Sequence, residues 1–406
     1  MSIRAVSEAS LLADRWVMNT YRRRSVTFVR GKGTSLFDAH GREFLDFVGG
    51  IAVTALGHAH PEVAEAVASQ SKDLVHTSNL YYTRPMAELA ERLCGLLGWG
   101  DGRVFFSNSG AESNECAIKL VRKWSTTQYS KERFETVAAL GSFHGRTLET
   151  LAATGQPAKW DAFQPLPPGF VHVAYNDTGV LEEAITPTTC SVLLEPVQGE
   201  GGVIVPSDTY LPDVRSICDR NSLAFIADEV QTGIGRTGEW FAFQHSGAAP
   251  DVITLAKALG NGLPIGACVA KGDFANAFEP GDHATTMGGG PVICAAALKV
   301  LEVIERDELV ENAAKTGGYL RAGLESLAER HESIADVRGR GLLQAIELSG
   351  DEAGAIVDHC FNNEVLINDV NPSTLRFSPA LIVTMGECDR LIDALDSALT
   401  ALSAHK

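Results

Sequence analysis

The chain has 406 residues, 45% of them hydrophobic, which is beyond the size at which one apolar core stops growing and points to two folded units able to bury a cofactor. A formal net charge of −17, from 34 Lys and Arg against 51 Asp and Glu, excludes nucleic acid and anionic membrane surfaces as partners, because both require clustered cations. The eight cysteines show no C-x-x-C and no zinc-ligand spacing, so no metal site is expected, and they read as buried thiols of a reducing compartment.

Charged residues such as Glu8, Asp14 and Arg15 interrupt the N-terminus, leaving no signal-peptide core, and no apolar segment is long enough to span a bilayer. The expectation is a cytoplasmic protein. Turn signals at Gly31-Lys32-Gly33 and around Gly41 predict an arm with a few short strands over residues 1–50. Short apolar runs follow: RVFF from 103, TVAAL from 136, VHVAY from 171, SVLLEPV from 191, LAFIADEV from 223, DVITLAK from 251 and GACVAK from 266. Continuous apolar runs suit strands buried on both faces. Helical patterns separate several of them; after Ser109, the residues Ala117, Leu120, Val121 and Trp124 fall on one helical face. The alternation predicts an α/β fold, a mostly parallel sheet between helices, in a large domain over 51–290. From about residue 291 a long helical stretch gives way to short strands around GLLQAIEL and LRFSPALIV, which predicts a smaller C-terminal α+β domain over 291–406.

Lys257 closes a buried-strand pattern and stands downstream of a second strand ending in Asp228-Glu229-Val230-Gln231. A lysine and an aspartate so placed hold an aldehyde cofactor from both ends. The cofactor inferred is pyridoxal 5′-phosphate, with the Lys257 amine as Schiff base to its aldehyde and Asp228 paired to its pyridinium nitrogen. Lys257 must be unprotonated to attack a carbonyl, and a desolvated site lowers its pKa in that direction. Gln231 is placed to hydrogen-bond the ring oxygen. Ser109-Gly110-Ala111 follows the strand RVFF and opens the amphipathic helix, where unpaired N–H groups and the helix dipole favour a phosphate. An ordinary serine N-cap produces the same pattern. Gly233-x-Gly235-x-x-Gly238 has dinucleotide-fingerprint spacing, but the EWFAFQ that follows does not open a phosphate-binding helix. The histidines at 58, 60, 144 and 283 lack metal-ligand spacing and read mostly as structural.

Several longer segments resemble the class III pyridoxal-phosphate aminotransferases, and within them the acetylornithine branch: SNSGAESNE (107–115), SFHGRTL (142–148), EPVQGEGGV (195–203), DEVQTGIGRTG (228–238), ITLAKALGNGLPIGA (253–267) and LRFSP (375–379). The resemblance implies a fold-type I transferase whose large domain carries a seven-stranded, mostly parallel sheet. It implies that Ser109, Gly110 and Ala111 bind the phosphate, that Phe143 stacks on the cofactor ring, that Asp228 and Gln231 hold its nitrogen and oxygen, and that Glu229 and Val230 belong to the cofactor site. It also implies a homodimer, in which Thr286 reaches the phosphate of the neighbouring subunit and Thr285 takes the place of a substrate-contacting serine. Arg146 is then the arginine that holds a substrate carboxylate, Arg376 a second one, and Glu200 the carboxylate that neutralises Arg376 until 2-oxoglutarate arrives.

Tyr21 corresponds to a tyrosine near the substrate. Ile51 stands where ornithine aminotransferases carry a tyrosine, leaving room for an acylated tail. The implied reaction moves the δ-amino group of N2-acetyl-L-ornithine to 2-oxoglutarate, as in arginine biosynthesis; succinylornithine, ornithine and 4-aminobutyrate are the rival donors. An aminomutase or decarboxylase is the rival class, against which the set Arg146, Glu200 and Arg376 argues. The segment HATTMGGGP departs from the family pattern at Thr285, Met287 and Gly290, and so bears on acyl-group preference.

Overall fold

The computed structural model describes residues 8–403. Near its start, β1 (Phe28–Lys32), β2 (Ser35–Asp38) and β3 (Glu43–Asp46) form an antiparallel meander. The seven apolar runs become β4 (Arg103–Ser107), β5 (Glu135–Ala139), β6 (Phe170–Val173), β7 (Thr189–Leu194), β8 (Ala224–Asp228), β9 (Val252–Leu255) and β10 (Gly266–Ala270). All seven lie in one sheet, ordered β4-β10-β9-β8-β7-β5-β6. Every pairing from β6 to β9 is parallel, whereas β10 runs antiparallel to both β9 and β4.

Strands β7 to β10 are buried at every residue, which is why they read as unbroken apolar runs and not as alternations. Successive side chains leave a strand on opposite faces. Leu193 and Ile226 accordingly join a core with the helix Gly110–Gln128, while Val192 and Phe225 join another with the helix Tyr210–Asn221. The sheet is therefore covered on both sides. Two antiparallel pairings in succession restore strand direction, so the ends of β4, β8 and β9 emerge along one edge of the sheet, where open α/β sheets bind ligands.

The C-terminal helical stretch is two helices, Pro291–Arg306 and Leu309–Arg330, and not one. The break falls at Asp307 and Glu308, where Glu308 adopts a left-handed φ of 53°. Neither glycine nor proline marks it, so the apolar periodicity runs through unbroken. Beyond lie β11 (Ile334–Arg340), β12 (Leu343–Leu348), β13 (Val365–Leu366), β14 (Asn368–Asn371) and β15 (Thr374–Phe377). Four of these form an antiparallel sheet ordered β11-β12-β15-β14, while β13 pairs in parallel with β3 and adds a fourth strand to the N-terminal meander. Among the described residues, no helix is long and apolar enough to cross a membrane.

The first residue of β10, Gly266, packs directly under the start of the helix Gly110–Gln128. A Cβ there would stand 2.4 Å from the Ser109 carbonyl oxygen and 2.4 Å from Ser113 Oγ. Ser113 Oγ is itself fixed, its one O–H lying between the carbonyls of Ser109 (3.0 Å) and Leu255 (3.1 Å). Gly266→Ala must displace the helix start, and we expect it to cost about 1–3 kcal/mol, the usual scale of overpacking. The urea midpoint of the apoprotein measures this; an unchanged midpoint would contradict the close approach.

Candidate active site

At the strand edge defined by β4, β8 and β9 lies a cavity of about 450 Å³ lined by Ser109, Gly110, Ala111, Phe143, Asp228, Val230, Gln231 and Lys257, with Arg146 and Glu200. Lys257 comes two residues after β9 ends and has a φ of 42°, a left-handed backbone that a non-glycine residue adopts at a cost of roughly 1–2 kcal/mol. Burial pushes its amine down to about 8; the Glu200 carboxylate partly opposes this and the Arg376 guanidinium adds to it. A useful fraction of the amine is therefore unprotonated near neutral pH.

Asp228 ends β8 with its carboxylate buried. Its Oδ2 accepts hydrogen bonds from Asn114 Nδ2 (2.7 Å) and His144 Nδ1 (2.8 Å), and its Oδ1 from the Val230 N–H (3.0 Å). A carboxylate only accepts, so the proton on His144 is assigned to Nδ1. Asn114 is held in turn, since its Nδ2 also donates to the His144 carbonyl (2.8 Å) and its Oδ1 accepts from Thr254 Oγ1 (2.7 Å). The network fixes Asp228 while leaving Oδ1 capacity for one more donor, such as a ring N–H.

Ser109 is a genuine N-cap, its Oγ accepting from the Glu112 N–H (3.2 Å), and it also lines the cavity. The two readings of this motif therefore coexist. The N–H groups of Gly110 and Ala111 belong to the first turn, outside the intrahelical ladder, at the positive end of a 19-residue helix dipole. A Cβ at Gly110 would stand 2.7 Å from Val230 Cγ1, so only glycine lets the helix end and the β8 loop approach this closely. An amine, a buried carboxylate and an anion cup in one cavity match the aldehyde, ring nitrogen and phosphate of pyridoxal 5′-phosphate.

Arg376, in β15, is 1% exposed and does not line the cavity. Its Nη1 donates to Glu200 Oε1 (2.5 Å) and to Gln231 Oε1 (3.2 Å). Glu200 thus stands between Arg376 and the cavity. Burial alone would raise the Glu200 carboxyl, but Arg376, with Lys257 and Gln231, more than offsets it and holds the group below the usual carboxylate range. Arg146 lies exposed at the rim, its guanidinium 5.5 Å from the Phe143 ring centroid, and it pairs with no carboxylate among the described residues.

Other residues singled out in the sequence are not brought to this cavity. Glu229 points away, because successive side chains at a strand end alternate. It is buried, with Oε1 accepting from the Phe243 N–H (2.9 Å), and burial pushes its carboxyl up to about 7. Tyr21 is 72% exposed. Thr285 and Thr286 line a separate cavity of about 790 Å³ that contains no lysine, arginine or carboxylate, and Thr286 is exposed. Conversely, Asn114, His144 and Glu195 belong to the site and carried no functional signal in the sequence. For His144 the one pointer was its place beside Phe143.

A family model described as aminotransferase class-III matches residues 17–399. The chain is 46% identical over 388 residues to the acetylornithine aminotransferase of Caldanaerobacter subterraneus subsp. tengcongensis, covering 96% of this chain and 98% of that one. It is 48% identical over 390 residues to the acetylornithine aminotransferase of Gloeobacter violaceus, covering 96% and 97%. Among solved structures it resembles the ornithine aminotransferase of Toxoplasma gondii ME49 with a TM-score of 0.95 at 30% identity, covering 100% of this chain and 97% of that one. The corresponding values for the N-acetylornithine aminotransferase of Stenotrophomonas maltophilia K279a are 0.84 and 36%, covering 98% and 100%. With a cavity that suits the cofactor and a family match over nearly its whole length, the chain belongs to the class III aminotransferases, pyridoxal-phosphate-dependent enzymes that transfer amino groups.

Proposed function

We propose that this chain transfers the δ-amino group of N2-acetyl-L-ornithine to 2-oxoglutarate, giving N-acetylglutamate 5-semialdehyde and L-glutamate, in the cytoplasmic synthesis of arginine. The observation that carries the reading is Arg376 sealed behind Glu200. An acylated ω-amino donor brings one carboxylate, whereas 2-oxoglutarate brings two. With the donor present, Arg146 takes its carboxylate and Glu200 stays on Arg376, so no buried cation is left unpaired. With 2-oxoglutarate present, Glu200 gives way and Arg376 takes the second carboxylate, a task suited to a guanidinium fork. The names of the relatives, at 46% and 48% identity, support the acetylated donor over free ornithine.

Bound pyridoxal 5′-phosphate supplies the electron sink that stabilises negative charge at the donor's amino-bearing carbon. Asp228 keeps a proton on the ring nitrogen, and the network of Asn114 and His144 holds Asp228 in place. Phe143, which lines the cavity, would stack on the ring. Lys257 Nζ would take the proton from the donor's amino-bearing carbon and deliver it to the cofactor's former aldehyde carbon, so that the amino group stays with the cofactor when the deaminated product leaves; its depressed pKa suits that exchange near neutral pH. Thr285 and Thr286 do not line their own chain's Lys257 cavity, although Thr285 Oγ1 accepts from Asn108 Nδ2 (3.4 Å) at its edge. In a homodimer we assign them to the partner's site.

Three outcomes test this. L-Glutamate formation with each donor separately should give kcat/KM for N2-acetylornithine at least about tenfold above ornithine and 4-aminobutyrate, the scale a shaped pocket supplies; a better rate with either competitor rejects the acetylated donor. Glu200→Ala should lower the ratio of ω- to α-amino donor turnover by about 10–100-fold, because Arg376 is left open to any α-carboxylate. An unchanged ratio contradicts the switch. Finally, only the unprotonated amine attacks an aldehyde, so capture of pyridoxal phosphate by the apoprotein should quicken with rising pH and level off above about 8. Glu200 holds the Lys257 pKa up, so in Glu200→Ala the plateau should begin at lower pH. A rate still climbing near pH ~10, as for an ordinary lysine, would contradict this.

A further inference from the structure

Glu195 follows the last residue of β7, is 4% exposed, and lines the same cavity as Lys257 and Asp228, yet the steps above give it no task. Among the described residues no lysine, arginine or histidine forms an ion pair with it. Each carboxylate oxygen instead accepts one backbone N–H, and the two donors belong to different loops. Oε1 takes the N–H of Phe143 (2.8 Å) and Oε2 that of Gly199 (3.0 Å). The first loop carries the ring-covering Phe143, His144 and Arg146; the second carries Glu200. The main chain of Glu195 is itself pinned, its carbonyl accepting from Tyr175 Oη (2.8 Å).

We propose that Glu195 is a positioning residue for the transamination: a single buried carboxylate that holds the Phe143 loop and the Glu200 loop together and so sets the cofactor-covering ring against the carboxylate switch. The inference rests on the roles given above to Phe143 and Glu200. A carboxylate suits this task because both of its oxygens accept; an amide has one acceptor and must turn an N–H₂ toward one of the two donors. Burying an acidic group costs free energy unless hydrogen bonds to its charged form offset the loss of water, and here two backbone donors do so. Burial accordingly pushes the carboxyl above its ordinary range, with His144 pulling it down and Asp228 adding to the rise. A second bond between the same loops lies farther out, from Gln198 Nε2 to the Leu140 carbonyl (2.9 Å), so loss of the carboxylate is expected to loosen the loops without unfolding the chain.

The test is Glu195→Gln, with three readouts: the dissociation constant for pyridoxal phosphate by titration of the apoprotein, hydrogen–deuterium exchange of peptides spanning residues 141–146 and 198–202 in the holoenzyme, and the ratio of ω- to α-amino donor turnover. We expect the dissociation constant to rise about tenfold, the scale of one charge-assisted hydrogen bond. Exchange should rise in both peptides, and the donor ratio should shift in the same direction as in Glu200→Ala. A variant that melts earlier but keeps all three readouts within about twofold of the parent makes Glu195 a packing residue only, and overturns the proposal. Should Glu195→Gln fail to fold, Glu195→Asp decides. Its carboxylate is one methylene too short to reach both amides, so exchange should rise in at least one of the two peptides, and parental exchange in both overturns the proposal. The affinity and exchange readouts do not depend on the donor, so an error in the substrate would show in the parent enzyme's turnover and leave these two standing.

Discussion

An amine that must attack a carbonyl near neutral pH has to be kept out of water, and the rest of the site answers to that requirement. Lys257 is placed at the end of a strand buried on both faces, in a backbone conformation that only a well-packed surround sustains. Burial removes its proton more effectively than any single neighbour. The same burial makes Asp228, Glu195 and Arg376 expensive as charges, and each is met differently. Asp228 receives side-chain and backbone donors, Glu195 two backbone donors, and Arg376 the Glu200 carboxylate.

The arrangement places rigid and movable parts in different elements. The lysine, the aspartate and the anion cup stand at strand ends or a helix start, fixed by the sheet and by the close contact of Gly110 with Val230. The discriminating groups stand on loops and in the C-terminal sheet. Arg376 comes from β15 and meets the loop of Glu200 through its guanidinium. In the proposed function, the groups that hold the cofactor stand at strand ends and a helix start, and those assigned to substrate choice stand on loops and in β15.

Strands β7 to β10 were legible because burial at every residue keeps charged side chains out of their interiors, and Lys257, Asp228 and Gly110 because each sits at or shortly after the end of an apolar run. What escaped the sequence depends on long-range approach. Asn114 and His144 are each far along the chain from Asp228, and no local pattern announces that all three meet. Glu195 reads as the polar end of a strand until its two donors are seen. The turn at Glu308 is hidden by a periodicity that continues through it, and the pairing of β13 with β3 joins opposite ends of the chain. In the other direction, the resemblance implies a cofactor contact for Glu229, whereas its side chain is buried against the Phe243 N–H and does not line the cavity.

The central claim is that Lys257 carries the cofactor covalently. Reduction of the purified holoenzyme with borohydride, proteolysis and mass spectrometry of the peptides would locate the attachment. The account predicts a phosphopyridoxyl label on Lys257 alone, and its loss when the enzyme is first treated with N2-acetylornithine. A label on another lysine, or none on a protein that absorbs in the visible, would contradict it.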